Sequence, residues 1–249
     1  MILWKIKTIS YWVKYSVLVF IARNSQLYFF QKKTNFKIVA NPLSIYQSQY
    51  YLVEVKDEIK KKEKISPLLS IDKKPPYLQS FGFKTRKEYE YWCERICAIA
   101  CVKMVLNYFF PENTETMAKL VTEVIKRNGY DIQHDKGWFH SSLIKYFKDL
   151  KLYAGGISLM TWGNLIHSLK KKKLIIVSVN DNLMFKKNED AHMIIVTGFY
   201  TNIKNKGIYF LDPANFVDPL KKNMSHMSWF DFCSKYNFRG ILVRQKKLF

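Results

Sequence analysis

The chain has 249 residues, 48% of them hydrophobic, and four cysteines, which excludes a disordered polymer and a small domain stapled by disulfides. Its formal net charge of +21 would attract nucleic acid or an anionic surface if the charge lay on one face. The lysine runs 60–62 and 170–173 lie far apart in the sequence. We therefore expect scattered, solvated lysines and no specific nucleic-acid partner. The four cysteines, which do not form the pattern of a secreted disulfide framework, favour a reducing, cytoplasmic compartment.

Residues 8–22 form the first apolar stretch, TISYWVKYSVLVFIA. Lys14 interrupts it, which leaves an apolar run well short of the roughly 20 residues that span a bilayer, and no small-residue cleavage site follows. The odd positions from Ile9 to Ile21 are all β-formers, a period of two that suits a strand. The pattern favours a strand and no clear transmembrane anchor, with membrane attachment or export as the alternative.

Composition divides the chain into three parts. Residues 1–55 hold further β-rich runs separated by short polar turns, which predicts a small β-rich module. Residues 56–76 are charged, lack aromatic side chains and end in Pro-Pro, as a linker would. A larger domain is predicted over residues 77–249.

This larger domain begins with helical periodicity. Apolar spacing from Glu88 onward predicts a buried helix that ends near Pro111. Further helices are predicted over 115–127, ending at Asn128-Gly129, over 141–149, and over 161–169 from a Thr cap. The runs LIIVSVN, HMIIVTGFY, GIYFLDP and GILVRQ then read as strands, so helices followed by a mostly antiparallel sheet predict an α+β fold.

Three residues in this domain form a pattern suited to nucleophilic catalysis. Cys97 lies where the apolar helix becomes buried, and a helix N-terminus lowers the pKa of a thiol. His192 opens one predicted strand and Asp212 ends the next, so an antiparallel pair joined around residues 202–207 would bring the two side chains together. A centre for nucleophilic catalysis by cysteine consists of a thiolate, a histidine that moves the proton of the thiol, and a group that orients the histidine.

The stretch YWCERICAIACVKMVLNYF resembles the signature of the C39-like cysteine peptidases, with the spacing from Cys97 to Met104 kept. Four further blocks follow in the order of that family: GWFHSSLIKYFKDL, KKKLIIVSVN, DAHMIIVTGF and IYFLDPAN. With the first stretch, the resemblance covers about Gln79 to Val243. The resemblance implies a papain-like α+β fold and hydrolysis of a peptide or isopeptide bond.

In the reaction that the resemblance implies, Cys97 is the nucleophile, His192 the general base and Asp212 the group that orients His192. This reaction requires no cofactor. The partner is a peptide or protein substrate, and the positive charge of the chain would suit an acidic peptide or a cell-envelope polymer.

Two positions depart from the family pattern. Ala98 replaces the glycine that usually follows the nucleophile, and Tyr91 occupies the place of the oxyanion-stabilising Gln about six residues before the Cys. The nearest Gln is Gln79, so Gln79 and Arg95 are the candidates for oxyanion or thiolate support; for Arg95 a surface salt bridge is an equal alternative. These departures keep open a second function, a catalytically inactive papain-like domain that binds peptides.

The remaining cysteine, tryptophan and histidine side chains of interest in this domain are interpreted as structural. Cys101 and Cys233 are predicted to be small buried residues, Trp92 and Trp138 to serve packing, and His140 to lie near a helix start. Cys93, Cys97 and Cys101 recur every four residues and could hold zinc on one continuous helix, but their sulfurs would be spread over about 12 Å of helix rise. A basic nucleic-acid-binding module is the remaining alternative, and no motif supports it.

Overall fold

A computed structural model describes residues 35–38, 76–135, 137–180, 192–201, 205–214 and 225–246. The apolar stretch 8–22 and almost all of the predicted N-terminal module and linker lie outside these residues, so the division of the chain into domains stays a prediction. Within the described ranges, no helix is both long and apolar enough to cross a bilayer.

Seven helices are described, most of them in the first half of the domain. They are α1 Pro76–Phe81, α2 Arg86–Cys93, α3 Cys97–Phe109, α4 Met117–Ile125, α5 His140–Asp149, α6 Trp162–Lys170 and α7 Trp229–Lys235. The helices predicted over 115–127, 141–149 and 161–169 correspond to α4, α5 and α6. The Thr161 side chain accepts a hydrogen bond from the Asn164 N–H, as predicted for the cap of α6.

The described strands form one seven-stranded antiparallel sheet. They are β1 Asn35–Ile38, β2 Leu152–Ile157, β3 Leu174–Val179, β4 His192–Thr201, β5 Lys206–Leu211, β6 Ser225–Ser228 and β7 Tyr236–Gln245. Their order is β2-β7-β3-β4-β5-β6, and β1 pairs with the second half of β4. The predicted α+β class with an antiparallel sheet is thus confirmed.

The central strands β3 and β4 are covered on both faces. Ile176 and Ile195 pack in the core shared with α3, α4 and α5, whereas Val177 and Ile194 pack in a second core with α6 and α7. A strand buried on both faces needs apolar residues at every position, which is why β3 and β4 appear in the sequence as continuous apolar runs rather than alternating ones.

The helix predicted from Glu88 onward is two helices, which corrects the sequence analysis. The first, α2, ends at Cys93 and α3 begins at Cys97. The apolar periodicity hides the break because Cys93 and Ile96, on its two sides, are both buried. The break has two consequences: Cys97 becomes the first residue of the buried helix α3, and Cys93 no longer shares a helix with it.

The connection after α1 depends on a glycine. Gly82 has a φ of +77°, and a Cβ at this position would collide with the side chain of Thr116, the cap of α4. We expect Gly82→Ala to lower the free energy of unfolding by about 1–3 kcal/mol, measured by urea denaturation. Gly163→Ala is the matched control, because Gly163 lies in α6 with open space around it and should gain roughly 0.5–1 kcal/mol. A Gly82 variant as stable as the control would contradict this account.

Candidate active site

Three elements converge at one end of the sheet. Cys97 is the first residue of α3, His192 the first residue of β4, and Asp212 directly follows the last residue of β5. The antiparallel register pairs Ile195 with Leu211, so the start of β4 and the end of β5 lie side by side. The structure therefore brings together all three of the residues predicted to form a catalytic centre.

The His192 ring is fixed by a buried carboxylate. Its Nε2 lies 2.6 Å from Oδ1 of Asp212, and the two residues are only 8% and 2% exposed. The same Oδ1 accepts a hydrogen bond of 2.9 Å from the backbone N–H of Ala214. Because this second bond orients the carboxylate, the histidine ring is held with Nε2 towards Asp212 and Nδ1 free to face Cys97.

Cys97 is a partly exposed residue, and its thiol interacts with the His192 ring. Burial alone would raise the pKa of the thiol, but the hydrogen bond and charge of His192, together with the backbone N–H groups of Met193 and Ala98, lower it below its usual value. Burial likewise opposes the charged form of His192, yet the hydrogen bonds to Asp212 and Cys97 raise the pKa of the imidazole to about 10. The pair favours a thiolate next to an imidazolium at neutral pH.

The pKa of Cys97 is lowered, whereas the pKa values of the neighbouring cysteines are raised. Burial raises the pKa of Cys93 to about 11 and, with the charges of Cys97 and Asp212, raises that of Cys101 well above its usual range. Cys101 is fully buried and donates to the Met193 carbonyl at 3.4 Å. Within the described ranges no three His, Cys, Asp or Glu side chains come close enough to hold a metal ion.

Arg95 is committed to a surface ion pair. Its Nη2 lies 2.8 Å from Oδ2 of Asp135, its Nη1 donates to the Tyr91 carbonyl at 2.8 Å, and the guanidinium lies 4.3 Å above the Tyr91 ring. Of the two alternatives for Arg95, the structure therefore shows the salt bridge. Asp135 was missed in the sequence because an acidic residue in a polar loop carries no local sign of its partner 40 residues away.

Trp138 and His140 each make one hydrogen-bond contact close to the site. Trp138 Nε1 donates to the Arg95 carbonyl at 2.6 Å, just before the nucleophile position. His140, the first residue of α5, has its Nε2 3.1 Å from Oγ of Ser178, and Ser178 pairs with Met193 in the sheet. His140 lies at the helix start, as predicted, but its contact with the end of the sheet was not expected.

The positions that depart from the family pattern are placed as follows. Ala98 is buried and is the second residue of α3. Tyr91 lies in α2 with its ring under Arg95. Gln79 belongs to α1, but its side chain lies outside the described part of the structure, so its predicted support role stays a prediction.

Comparison with known proteins places the chain in a family. The sequence profile of the Peptidase_C39 like family matches residues 72–237. Among solved structures, the peptidase domain of Streptococcus ComA, a bifunctional ABC transporter involved in quorum sensing, is 16% identical with a TM-score of 0.40 over 61% of this chain and 93% of that one. A protein of Bacillus anthracis described as a C39-like peptidase is 15% identical with a TM-score of 0.41 over 61% and 90%.

A double glycine motif protease from an AMS/PCAT transporter, solved with its leader peptide, is 17% identical with a TM-score of 0.37 over 60% of this chain and 84% of that one. Among curated protein sequences, none matches this chain. The helices and the antiparallel sheet form an α+β domain. The chain belongs to the Peptidase_C39 like family, since the family profile covers most of it.

Proposed function

We propose that the protein is a cysteine peptidase that hydrolyses a peptide or isopeptide bond through Cys97, His192 and Asp212. One observation carries the proposal: a thiol of lowered pKa at a helix start meets a histidine that a buried aspartate holds at 2.6 Å. That arrangement in a member of a peptidase family supports acyl transfer to water.

The chemistry proceeds in two stages. The Cys97 thiolate attacks the carbonyl carbon, a C–S bond forms, and the His192 imidazolium gives its proton to the departing amine as the C–N bond breaks. Water then attacks the thioester while His192 takes up a proton, and the C–S bond breaks to release the acid. Asp212 keeps the ring of His192 in place during both stages.

The start of α3 supplies the first support for the oxyanion of the tetrahedral intermediate. Ile96 precedes the helix without a side-chain cap, so the first N–H groups of α3, those of Cys97 and Ala98, are directed to the region of the thiol. Gln79 is proposed as a second donor. Arg95 has a different role, because Asp135 already holds its guanidinium and the Arg95 carbonyl anchors Trp138.

The proposed substrate is a peptide or protein, and no cofactor enters the mechanism. The net charge of +21 would raise the local concentration of an acidic peptide through electrostatic attraction. Binding that falls with added salt supports this choice; binding that is insensitive to salt contradicts it.

A second candidate function is an inactive domain that binds peptides. It is favoured by Tyr91, which stands where the family's oxyanion Gln is expected and whose ring packs under Arg95. Loss of one oxyanion donor costs about 100- to 1,000-fold in rate. The two candidates differ in the reactivity of the Cys97 thiol, which can be measured without a known substrate.

The test is alkylation of the folded chain by iodoacetamide between about pH 5 and pH 9, with mass spectrometry to locate the modified cysteine. We expect Cys97 alone to react near pH 6. In His192→Ala the thiol loses its partner, so its reactivity should move towards pH 8.5 and its rate at pH 6 should fall about 100-fold.

The exposed residue His226, on β6, provides the matched control, since His226→Ala should leave Cys97 alkylation unchanged. If Cys97 is inert in the folded chain, or reacts equally without His192, the peptidase proposal is wrong and the peptide-binding domain takes its place.

A further inference from the structure

Three polar side chains beside the candidate active site have no part in the mechanism: His140, Ser178 and Arg239. Ser178 is 1% exposed and lies 3.1 Å from Nε2 of His140. Arg239 is exposed on β7, the strand next to β3. These residues form a polar cluster at the end of the sheet that also carries His192.

A bulge in β7 places Arg239 in this cluster. Val177 pairs with Gly240 and Val179 with Tyr236, so residues 237–239 all lie opposite the single residue Ser178. Arg239 lies close enough to the first residue of α5 for its charge to act on His140.

The cluster lies within reach of a peptide bound at Cys97. Val179 pairs with His192 across β3 and β4, and β7 is the next strand on the other side of β3. Two strand spacings correspond to about 10 Å, which an extended peptide spans with about three residues. Trp138 and His140 connect the two regions, since Trp138 binds the Arg95 carbonyl and His140 approaches Ser178.

Arg239 and Arg95 also differ in whether a carboxylate pairs with the guanidinium. Arg95 is neutralised by Asp135, whereas no carboxylate of the described residues forms an ion pair with Arg239. Burial and the charge of Arg239 both lower the pKa of His140, which is therefore neutral at physiological pH. The Nδ1 atom of His140 makes no hydrogen bond to any described residue. Among the described residues, the cluster thus holds one positive charge without a carboxylate partner, next to a neutral imidazole.

We propose that Arg239 and His140 form a subsite that binds the carboxylate of an acidic residue in the peptide, about three residues from the cleaved bond. Arg239 supplies the positive charge, and Ser178 holds the His140 ring. The inference rests on the proposed function, because it takes Cys97 as the point where the peptide is bound.

The test measures binding rather than cleavage. Full-length Cys97→Ala protein is mixed with a pool of synthetic 12-residue peptides of random, cysteine-free sequence, and the bound fraction is sequenced by mass spectrometry. A selected peptide is then made with Glu or Gln at the enriched acidic position, and the two dissociation constants are compared. We expect the Glu peptide to bind about fivefold more tightly.

Adding Arg239→Ala should make the two peptides bind equally, while Arg239→Lys should keep part of the preference. The matched control is Arg244→Ala, which removes the same charge from the same strand where Arg244 stacks on Tyr153; it should keep the full preference. The proposal is overturned if no acidic position is enriched, if the preference survives Arg239→Ala, or if Arg244→Ala abolishes it equally.

Failure of the subsite and failure of the proposed function give different results. With Cys97 present, absence of cleavage together with an Arg239-dependent preference for Glu removes the peptidase proposal and keeps the acidic subsite. Cleavage by a chain that binds the Glu and Gln peptides equally keeps the peptidase proposal and removes the acidic subsite.

Discussion

Cys97→Ala should abolish peptide cleavage, lowering kcat/KM by at least about 10,000-fold. Without the sulfur no thioester can form, and the binding surface that remains accelerates hydrolysis only weakly. The measurement is incubation of the full-length chain with a pool of peptides that contains acidic sequences, with the fragments identified by mass spectrometry.

Cys233→Ala is the matched control for this experiment. Cys233 is buried and packs in the second core with α7, on the other side of the sheet from Cys97. Its replacement should change kcat/KM by less than about threefold, because a small core deletion on that face leaves the active-site geometry in place. Cleavage that persists in Cys97→Ala, with the same fragments, would assign the activity to another residue or another protein.

The juxtaposition of His192 and Asp212 was predictable because it depends on local rules. Two β-rich runs joined by a short polar segment pair antiparallel, and the first residue of one strand then meets the residue after the other. The 2.6 Å contact follows from that register. Local rules also predicted α4, α5 and α6 from the apolar spacing of consecutive residues, and α6 from its Thr161 cap as well.

Other features depend on contacts that leave no local pattern. Periodicity does not reveal the break between α2 and α3, since the residues on both sides of it are buried. The strand β2 was missed because two consecutive glycines give it low β-propensity, and pairing with β7 forms it nonetheless. Arg239 lies opposite Ser178 because of a three-residue bulge in β7, a register that the sequence of β7 alone cannot supply.

Asp212→Ala should reduce kcat/KM by about 100-fold or more, because the His192 ring loses its orientation, whereas Asp212→Asn, which gives the Cys-His-Asn form of the centre, should retain much more activity. Asp212 Oδ1 accepts from both His192 and the Ala214 N–H. Alanine leaves both groups without this acceptor, while the amide oxygen of asparagine can replace it. The ratio between the two variants therefore separates loss of orientation from loss of charge.

The pH dependence of Asp212→Asn tests the charge itself. The active pair is thiolate and imidazolium, so activity requires a pH above the pKa of Cys97 and below that of His192. In the wild-type chain the pKa of His192 is raised to about 10, with Asp212 the first of the groups that raise it. Asparagine removes that negative charge, so the pKa of His192 should fall and the alkaline limb of kcat/KM should move to lower pH. An alkaline limb of kcat/KM that stays in place would mean that the charge of Asp212 does not act on His192.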